Sequence, residues 1–262
     1  MTSLDTFTQV TSDLRVMARL TPWDTDCFGF AVGQIDTIEC LNTVSDTSVM
    51  ESFFQWLDLN AIRLVSCRIP YENLTESMLL EVSGFRFVET VLHPYLELSD
   101  SRYQEESGLS IEPAKLTDMD TLDAIAAKAF THGRIHADTR LGPALGNKRY
   151  RCWVSNTLTH PRQKLLKVIN EEGSIVALFI TEMASDENIY WHLTAIAPQY
   201  HGQGYGWRVW NAMLAQHARE GIRSVSTTIT AGNVPVLNLY SKLGFRFLPP
   251  EMTFHWLRES KV

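Results

Sequence analysis

No apolar run in this sequence approaches the ~18 residues that a membrane-spanning helix needs. The opening stretch, MTSLDTFTQVTSDLR, is polar and lacks the apolar centre of a signal peptide. Cysteine is scarce: Cys27, Cys40, Cys67 and Cys152 stand singly, without the close pairs of zinc sites or the density of a disulfide framework. Positive charge is outweighed, with 23 Lys and Arg against 30 Asp and Glu and a net charge of -7. That balance leaves no basic stripe for nucleic acid. From these absences we expect a cytoplasmic, reduced protein with no metal, no nucleic acid partner and no membrane partner.

What remains is ordinary globular material. Of 262 residues, 45% are hydrophobic and 20% charged, enough for one large core or two small ones. The polar run 99–108 separates two apolar-rich regions and reads as a linker. Beyond it, LSIEP reads as a strand. Thr117, Asp118, Met119 and Asp120 start a helix that carries Leu122, Ile125, Ala126 and Ala129 at helical spacing. A helix near 146–158 follows, then KLLKVIN and SIVALFITEM as a hairpin around Glu171-Glu172-Gly173. IYWHLTAIA is a strand ended by Pro198. The next helix sets Val209, Trp210, Met213, Leu214 and His217 on one face, with Gly221 as its stop; Trp207 and Trp210 are read as core. IRSVSTTIT is a strand, Asn233 caps a helix through Leu243, and FRFLPPEMTFHWL closes as an extended pair. This order predicts a mixed α/β layered fold.

Between the strand and the long helix lies Gly202-Gln203-Gly204-Tyr205-Gly206. Such a turn can present bare N–H groups beside a helix N-terminus, which is a diphosphate site. It can equally be an ordinary tight turn, and Tyr240 can equally be a core aromatic. Context separates the readings. The turn follows a strand ending in Ala-Pro, and an Asn-capped helix with a tyrosine comes later.

The run Ala195-Ile196-Ala197-Pro198-Gln199-Tyr200-His201-Gly202-Gln203-Gly204-Tyr205-Gly206 resembles the acetyl-CoA signature of the GCN5-related N-acetyltransferase (GNAT) family. So does the tail Gly232-Asn233 … Leu239-Tyr240-Ser241-Lys242-Leu243-Gly244-Phe245. The resemblance implies acetyl-CoA as co-substrate and transfer of its acetyl group to a primary amine of a small molecule. It implies cofactor contacts from Leu193, Ala195, Ile196, Ala197, Tyr200, His201, Gly202, Gln203, Gly204, Tyr205, Gly206, Trp207 and Asn233. His201 stands where the family usually has an amide or a base. Backbone N–H groups near Leu193 and Ala195 would meet the carbonyl oxygen, and Tyr240 would protonate the leaving thiolate. His192 and Glu182 are candidate bases, His192 as a catalytic residue and Glu182 beside the acceptor. A histidine on a strand is more often a packing residue, and a water chain can also remove the proton, so the base stays unassigned.

A narrower resemblance concerns the acceptor. Arg134-Ile135-His136-Ala137-Asp138, with Tyr150 and Trp153 beyond it, resembles the dTDP-fucosamine acetyltransferases, as does Leu20-Thr21-Pro22-Trp23-Asp24-Thr25-Asp26-Cys27-Phe28-Gly29. Those enzymes acetylate a nucleotide-linked amino sugar, which implies acceptor contacts from His136 and Asp138. Asp138 read alone is also a residue that caps its own loop. Leu239 departs from the basic residue expected there. The acidic charge suits cationic amines as well: aminoglycosides, polyamines or peptides. A non-catalytic acyl-CoA-binding protein is the alternative of another class, and a homodimer is compatible with either.

Shifting the chain by 160 residues aligns 63–87 with 223–247 without a gap, and ten of the 25 positions are identical, including Asn73/Asn233 and all of Gly-Phe-Arg-Phe. We therefore expect a reduced, GNAT-like N-terminal domain at 1–107 and a GNAT domain at 108–262. The first copy has Leu80 where the second has Tyr240, and Leu41-Asn42-Thr43-Val44-Ser45-Asp46 where the second has its glycines. Its expected role is structural, with Trp23 to Phe28 facing the acceptor.

Overall fold

A computed structural model of the chain describes residues 5–42, 48–98, 103 and 106–258. Most of the expected linker at 99–108, and positions 43–46 of the first copy's loop, lie outside the described residues. The first half runs β1 (Thr6–Val10), β2 (Leu14–Leu20), α1 (Pro22–Phe28), β3 (Val32–Cys40), α2 (Ser48–Leu59), β4 (Leu64–Pro70), α3 (Leu74–Val82) and β5 (Arg86–Glu97). The second runs β6 (Leu109–Pro113), α4 (Met119–Ala129), α5 (Arg134–Ala137), α6 (Pro143–Thr157), β7 (Gln163–Asn170), β8 (Ile175–Met183), β9 (Asn188–Ile196), α7 (Tyr205–Arg219), β10 (Ser224–Thr227), β11 (Ile229–Thr230), α8 (Val234–Leu243) and β12 (Arg246–Leu257). Among the described residues, no helix is long and apolar enough to cross a membrane.

The chain forms two compact units. The first comprises 1–91, 137–140 and 249–262; the second comprises 92–136 and 141–248. In unit 1 the strands run β1-β2-β3-β4-β12, β3 and β4 being parallel and β12 antiparallel to β4. Phe53, Trp56 and Leu57 of α2 and Leu79 and Leu80 of α3 cover the sheet. Trp23 to Phe28 fall in α1, where Asp24, Cys27 and Phe28 are buried. In unit 2 the order is β5-β10-β9-β8-β7-β6, with β11 beside β5. One face of that sheet carries α7 and α8, through Val209, Trp210, Met213, Tyr240 and Leu243. The other carries α4 and α6, through Leu122, Ile125, Ala126 and Val154.

The repeat seen in the sequence has a twin in the backbone. Asn73 and Asn233 precede α3 and α8 with φ, ψ of -78°, 63° and -87°, 66°. Gly84 and Gly244 follow those helices at φ 85° and 88°, a region open to glycine at little steric cost. After that point the copies do not close on themselves. Residues 92–97 of β5 belong to unit 2, where β5 pairs with β10, while 249–257 of β12 belong to unit 1 and pair with β4. The units therefore differ from the expected 1–107 and 108–262. The expected closing pair of strands is one 12-residue strand instead. Pro249 and Pro250 lie in it just before the register with β4, which starts at Glu251.

Residues 137–140 are fixed in unit 1 by a buried ion cluster. The Asp138 carboxylate accepts hydrogen bonds from Arg140 Nε at 2.9 Å and Nη2 at 2.8 Å, and pairs with His255 Nδ1 at 3.0 Å. Burial works to raise the Asp138 pKa, but His255 and Arg140 outweigh it and hold the carboxyl far below its ordinary 3.8. Removing one member of a buried pair strands the other. We predict that Asp138→Asn lowers stability by roughly 3 kcal/mol at pH 7. Because the native pKa is depressed, the wild-type advantage is present above the unfolded value and is lost as pH falls below it. Denaturant melts of both proteins between pH 7 and pH 3 check this: the gap should be constant at the upper end and shrink below about pH 4.

Candidate active site

The site begins where a ladder stops. β9 and β10 pair in parallel from Asn188/Ser224 to Trp191/Thr227 and no further. Thr227 Oγ1 donates to the Trp191 carbonyl at 2.8 Å, and the chain then turns away so that β11 pairs with β5. From His192 onward, β9 keeps β8 as its only strand neighbour among the described residues. The backbone near Leu193 and Ala195 thus has an edge without a strand among the described residues.

A β-bulge sits at the same point. Ile180 pairs with Leu193 and Thr181 with Trp191, which leaves His192 as the extra residue. The bulge reverses the alternation of the strand. Ile189 and Trp191 enter the core under α7 and α8, whereas Leu193 and Ala195 enter the core under α4 and α6. His192 lies on the α4 and α6 side, its ring 5.8 Å from that of Trp153 and 4.8 Å from that of Tyr190. Thr194 returns to the α8 side.

The glycine turn lies at the end of β9. Gly202 and Gly204 have φ of 74° and 81°, a left-handed region costly for other residues. Gly204 is the N-cap of α7, and no side chain caps that helix. The first N–H groups of α7, at Tyr205, Gly206 and Trp207, are of the kind a helix leaves without an acceptor one turn back, and a helix N-terminus favours negative charge. His201 Nε2 reaches the Ile196 carbonyl at 3.0 Å, and Gln203 Nε2 donates to the Gln199 carbonyl at 2.7 Å, so the loop braces itself. The Tyr200 and Tyr205 rings meet at 5.1 Å, tilted by 59°, and Ala197 is buried in the core against which Tyr200 packs. Trp210 is core at 2% exposure, but Trp207 is 46% exposed. The expectation of core for Trp207 is corrected: it lies in the first turn of α7, ahead of the turns that the core covers.

Tyr240 is buried at 2% exposure on α8. Burial raises its pKa above the ordinary 10, against the opposing pull of the polar side chains that face its hydroxyl: Trp210, Thr194 and Thr227. Thr194 and Thr227 flank the divergence of β9 and β10, so the hydroxyl sits at the gap. The buried Trp210 Nε1 has no hydrogen-bond partner among the described residues. Asn233 holds the N-cap position of α8, yet its side chain makes no cap hydrogen bond. Sequence reasoning missed Thr194, Thr227 and Trp210, since a threonine in a strand or a tryptophan on a buried helix face carries no local signal.

On the opposite face His192 Nε2 meets Glu182 Oε2 at 3.0 Å, and Arg162 grips the other carboxylate oxygen at 2.6 Å. Burial lowers the His192 pKa and outweighs the raising effect of Glu182. For Glu182, burial acts upward, but His192, Gln163 and Arg162 together lower the net value. At neutral pH the pair is an imidazole against a carboxylate.

The acceptor candidates separate. His136, in α5, bonds Asn147 Oδ1 at 2.8 Å and stacks on Tyr150 at 5.8 Å, over Gly146, where any Cβ would collide with its ring. Tyr150 packs against the same core as α4 and α6. Asp138 is in unit 1 with its carboxylate engaged by Arg140 and His255, and it also accepts the Arg140 N–H, a local turn of the kind its sequence allows. Leu239 packs near Gly206 in the core under α7 and α8.

Unit 1 has the same frame with other contents. Its parallel pairing ends at Ile35/Cys67, and a bulge makes Asp36 the extra residue. Beyond it the Cys40 N–H is already taken by Glu76 Oε1 at 2.9 Å, and Leu80 fills the place of Tyr240.

Residues 125–245 match the acetyltransferase (GNAT) family. The spore coat polysaccharide biosynthesis protein SpsD of Bacillus subtilis (strain 168) is 19% identical over 225 residues, covering 85% of this chain and 76% of that protein. A GCN5-related N-acetyltransferase from Sphaerobacter thermophilus superposes with a TM-score of 0.65 at 11% identity, over 97% of this chain and 83% of its own. A tandem GNAT protein from the clavulanic acid biosynthesis pathway gives 0.62 at 11% identity, over 95% and 80%. The diverging strands, the uncapped glycine turn and these likenesses agree: residues 125–245 match the GNAT acetyltransferase family, the fold is that of GNAT proteins, and both point to an acyl-CoA-dependent N-acyltransferase.

Proposed function

We propose that unit 2 transfers the acetyl group of acetyl-CoA to the primary amine of a small molecule, with Tyr240 as general acid. The observation that carries this reading is the Tyr240 hydroxyl facing Thr194 and Thr227 at the point where β10 leaves β9. The diphosphate of acetyl-CoA suits the uncapped N-terminus of α7 and the bare Gly202–Gly204 backbone. Its amide-bearing arm suits the free edge of β9, by the hydrogen bonding that lets an extended chain add to a sheet. Backbone N–H groups of 193–195 then stabilise the oxygen on which negative charge develops. The leaving thiolate takes a proton from Tyr240, whose raised pKa keeps it protonated through the neutral range.

For the acceptor we favour an amino sugar, including a nucleotide-linked one. The resemblance of 134–138 and the likeness to a protein named for spore coat polysaccharide biosynthesis support it. His136 fits an acceptor contact on the α6 side; Asp138, already engaged in unit 1, is a structural anchor rather than a free ligand.

Release of free coenzyme A, followed across a panel of amino sugars, nucleotide-linked amino sugars, aminoglycosides, polyamines and peptides, tests the activity and names the acceptor. Amine-dependent release is expected for an amino sugar; release with none of the panel would sink the proposal. In the Tyr240→Phe variant we expect kcat to fall on the order of 10²-fold with acetyl-CoA affinity little changed. Gly204→Ala places a side chain at positive φ, costs about 1–2 kcal/mol there, and should weaken acetyl-CoA binding roughly tenfold by calorimetry.

A further inference from the structure

We infer that His192 is the general base of this reaction, accepting the proton of the acceptor amine on Nδ1, and that Glu182 is its positioning residue. This rests on the acetyl transfer proposed above.

Placement is the first ground. His192 is the extra residue of the bulge, one position past the last β9–β10 pair and directly before Leu193 of the free edge. A regular strand would turn residues 192 and 193 to opposite faces; the bulge turns both toward α4 and α6. Tyr240 approaches the same gap from the α8 face. The two groups therefore address one opening from opposite sides. A tetrahedral intermediate needs that arrangement, because its nitrogen and its sulfur are different substituents of one carbon.

The tautomer is the second ground. The Glu182 carboxylate accepts only, so the 3.0 Å contact puts the ring proton on Nε2 and leaves the lone pair on Nδ1. Nδ1 makes no hydrogen bond among the described residues, and the side chain is 21% exposed, so it can be reached. The charged and titratable groups around it are Glu182 from β8, Arg162 and His160 from the turn before β7, and Tyr190 from β9. Burial together with Arg162 and His160 keeps the ring neutral in the range where it must act.

Unit 1 supplies the contrast. There the bulge residue is Asp36, and Arg19 answers it across the strands with Nε to Oδ2 at 3.0 Å. Position for position, Arg19–Asp36 stands where Glu182–His192 stands in unit 2. Either pair bridges a bulge, but only the second offers an unprotonated nitrogen.

The step balances with these groups alone. The amine nitrogen bonds to the acetyl carbon and its proton passes to His192 Nδ1. The C–S bond breaks, and Tyr240 gives its proton to the sulfur. The products are the amide and coenzyme A thiol, and His192 and Tyr240 return to their starting states through solvent.

The test compares wild type, His192→Gln, Glu182→Gln, Tyr240→Phe and the double variant Glu182→Arg/His192→Asp, which installs the unit 1 pair. Each is assayed from pH 5.5 to 9 with acetyl-CoA and the best amine of the panel. His192→Gln should lose on the order of 10²-fold in kcat/KM at pH 7, with the gap narrowing as the amine deprotonates in solution. The acidic limb of the wild type should lie below the ordinary histidine range, move lower still in Glu182→Gln, and vanish in His192→Gln. The double variant should melt like wild type yet lose as much activity as His192→Gln, which a purely structural bridge would not do. Acetyl-CoA affinity should hold in all of them. Independently of any acceptor, 15N NMR of the His192 ring at pH 7 should show protonated Nε2 and bare Nδ1. A proton found on Nδ1, or a wild-type rate in His192→Gln while Tyr240→Phe is impaired, would falsify the base assignment and leave the acid in place. Full rates in both variants would instead overturn the site itself.

Discussion

Everything at the site depends on one hydrogen bond that ends a ladder. Thr227 closes the Trp191 carbonyl with its own hydroxyl, at 2.8 Å, instead of passing the strand on to a further backbone pair. Had β10 continued beside β9, the N–H groups near Leu193 would be consumed by the sheet and Tyr240 would face packed backbone. Because pairing fails there, a sheet interior becomes an edge inside unit 2. Edges left open in the middle of a sheet are costly unless something occupies them. An extended amide chain from a ligand is the natural occupant.

Much of this was legible in the sequence, for local reasons. The hairpin at 171–173, the stripe of Val209, Trp210, Met213, Leu214 and His217, and the positive-φ glycines each announce themselves within a few residues. The repeat was also visible, because Gly-Phe-Arg-Phe follows each short helix with the same left-handed turn. What stayed hidden was long-range. Nothing near Asp138 says that its partner is His255, 117 positions away, and nothing in the repeat says that each copy gives its last strand away. The bulge was hidden for another reason: one extra residue in a nine-residue strand leaves the apolar pattern nearly unchanged, and only the partner register exposes it.

The two units show how little needs to change for a fold to gain or lose chemistry. Both keep a parallel pair that ends early, a bulge just past it, and an Asn-started helix closed by glycine. In unit 1, Glu76 caps the edge from within and Leu80 adds apolar packing. In unit 2 the edge is bare and the helix offers a hydroxyl. The apolar version is the ordinary way to stabilise such a corner. The polar version gathers the Trp210 indole, Thr194 and Thr227 around a buried hydroxyl, a cost that makes sense where the surroundings serve a reaction.

The strand exchange has a consequence for synthesis. Arg68 and Thr253, which bond across β4 and β12, are separated by 185 residues, so unit 1 stays unfinished until β12 has left the ribosome, long after β4. Through that time β4 presents an unpaired, apolar edge, the kind of surface that recruits holding chaperones or a neighbouring nascent chain. β12, the last of the described strands in chain order, is the one that shuts that edge. A nascent chain stalled or cut before about residue 249 would expose an open half, visible to quality control before it could ever be mistaken for finished protein.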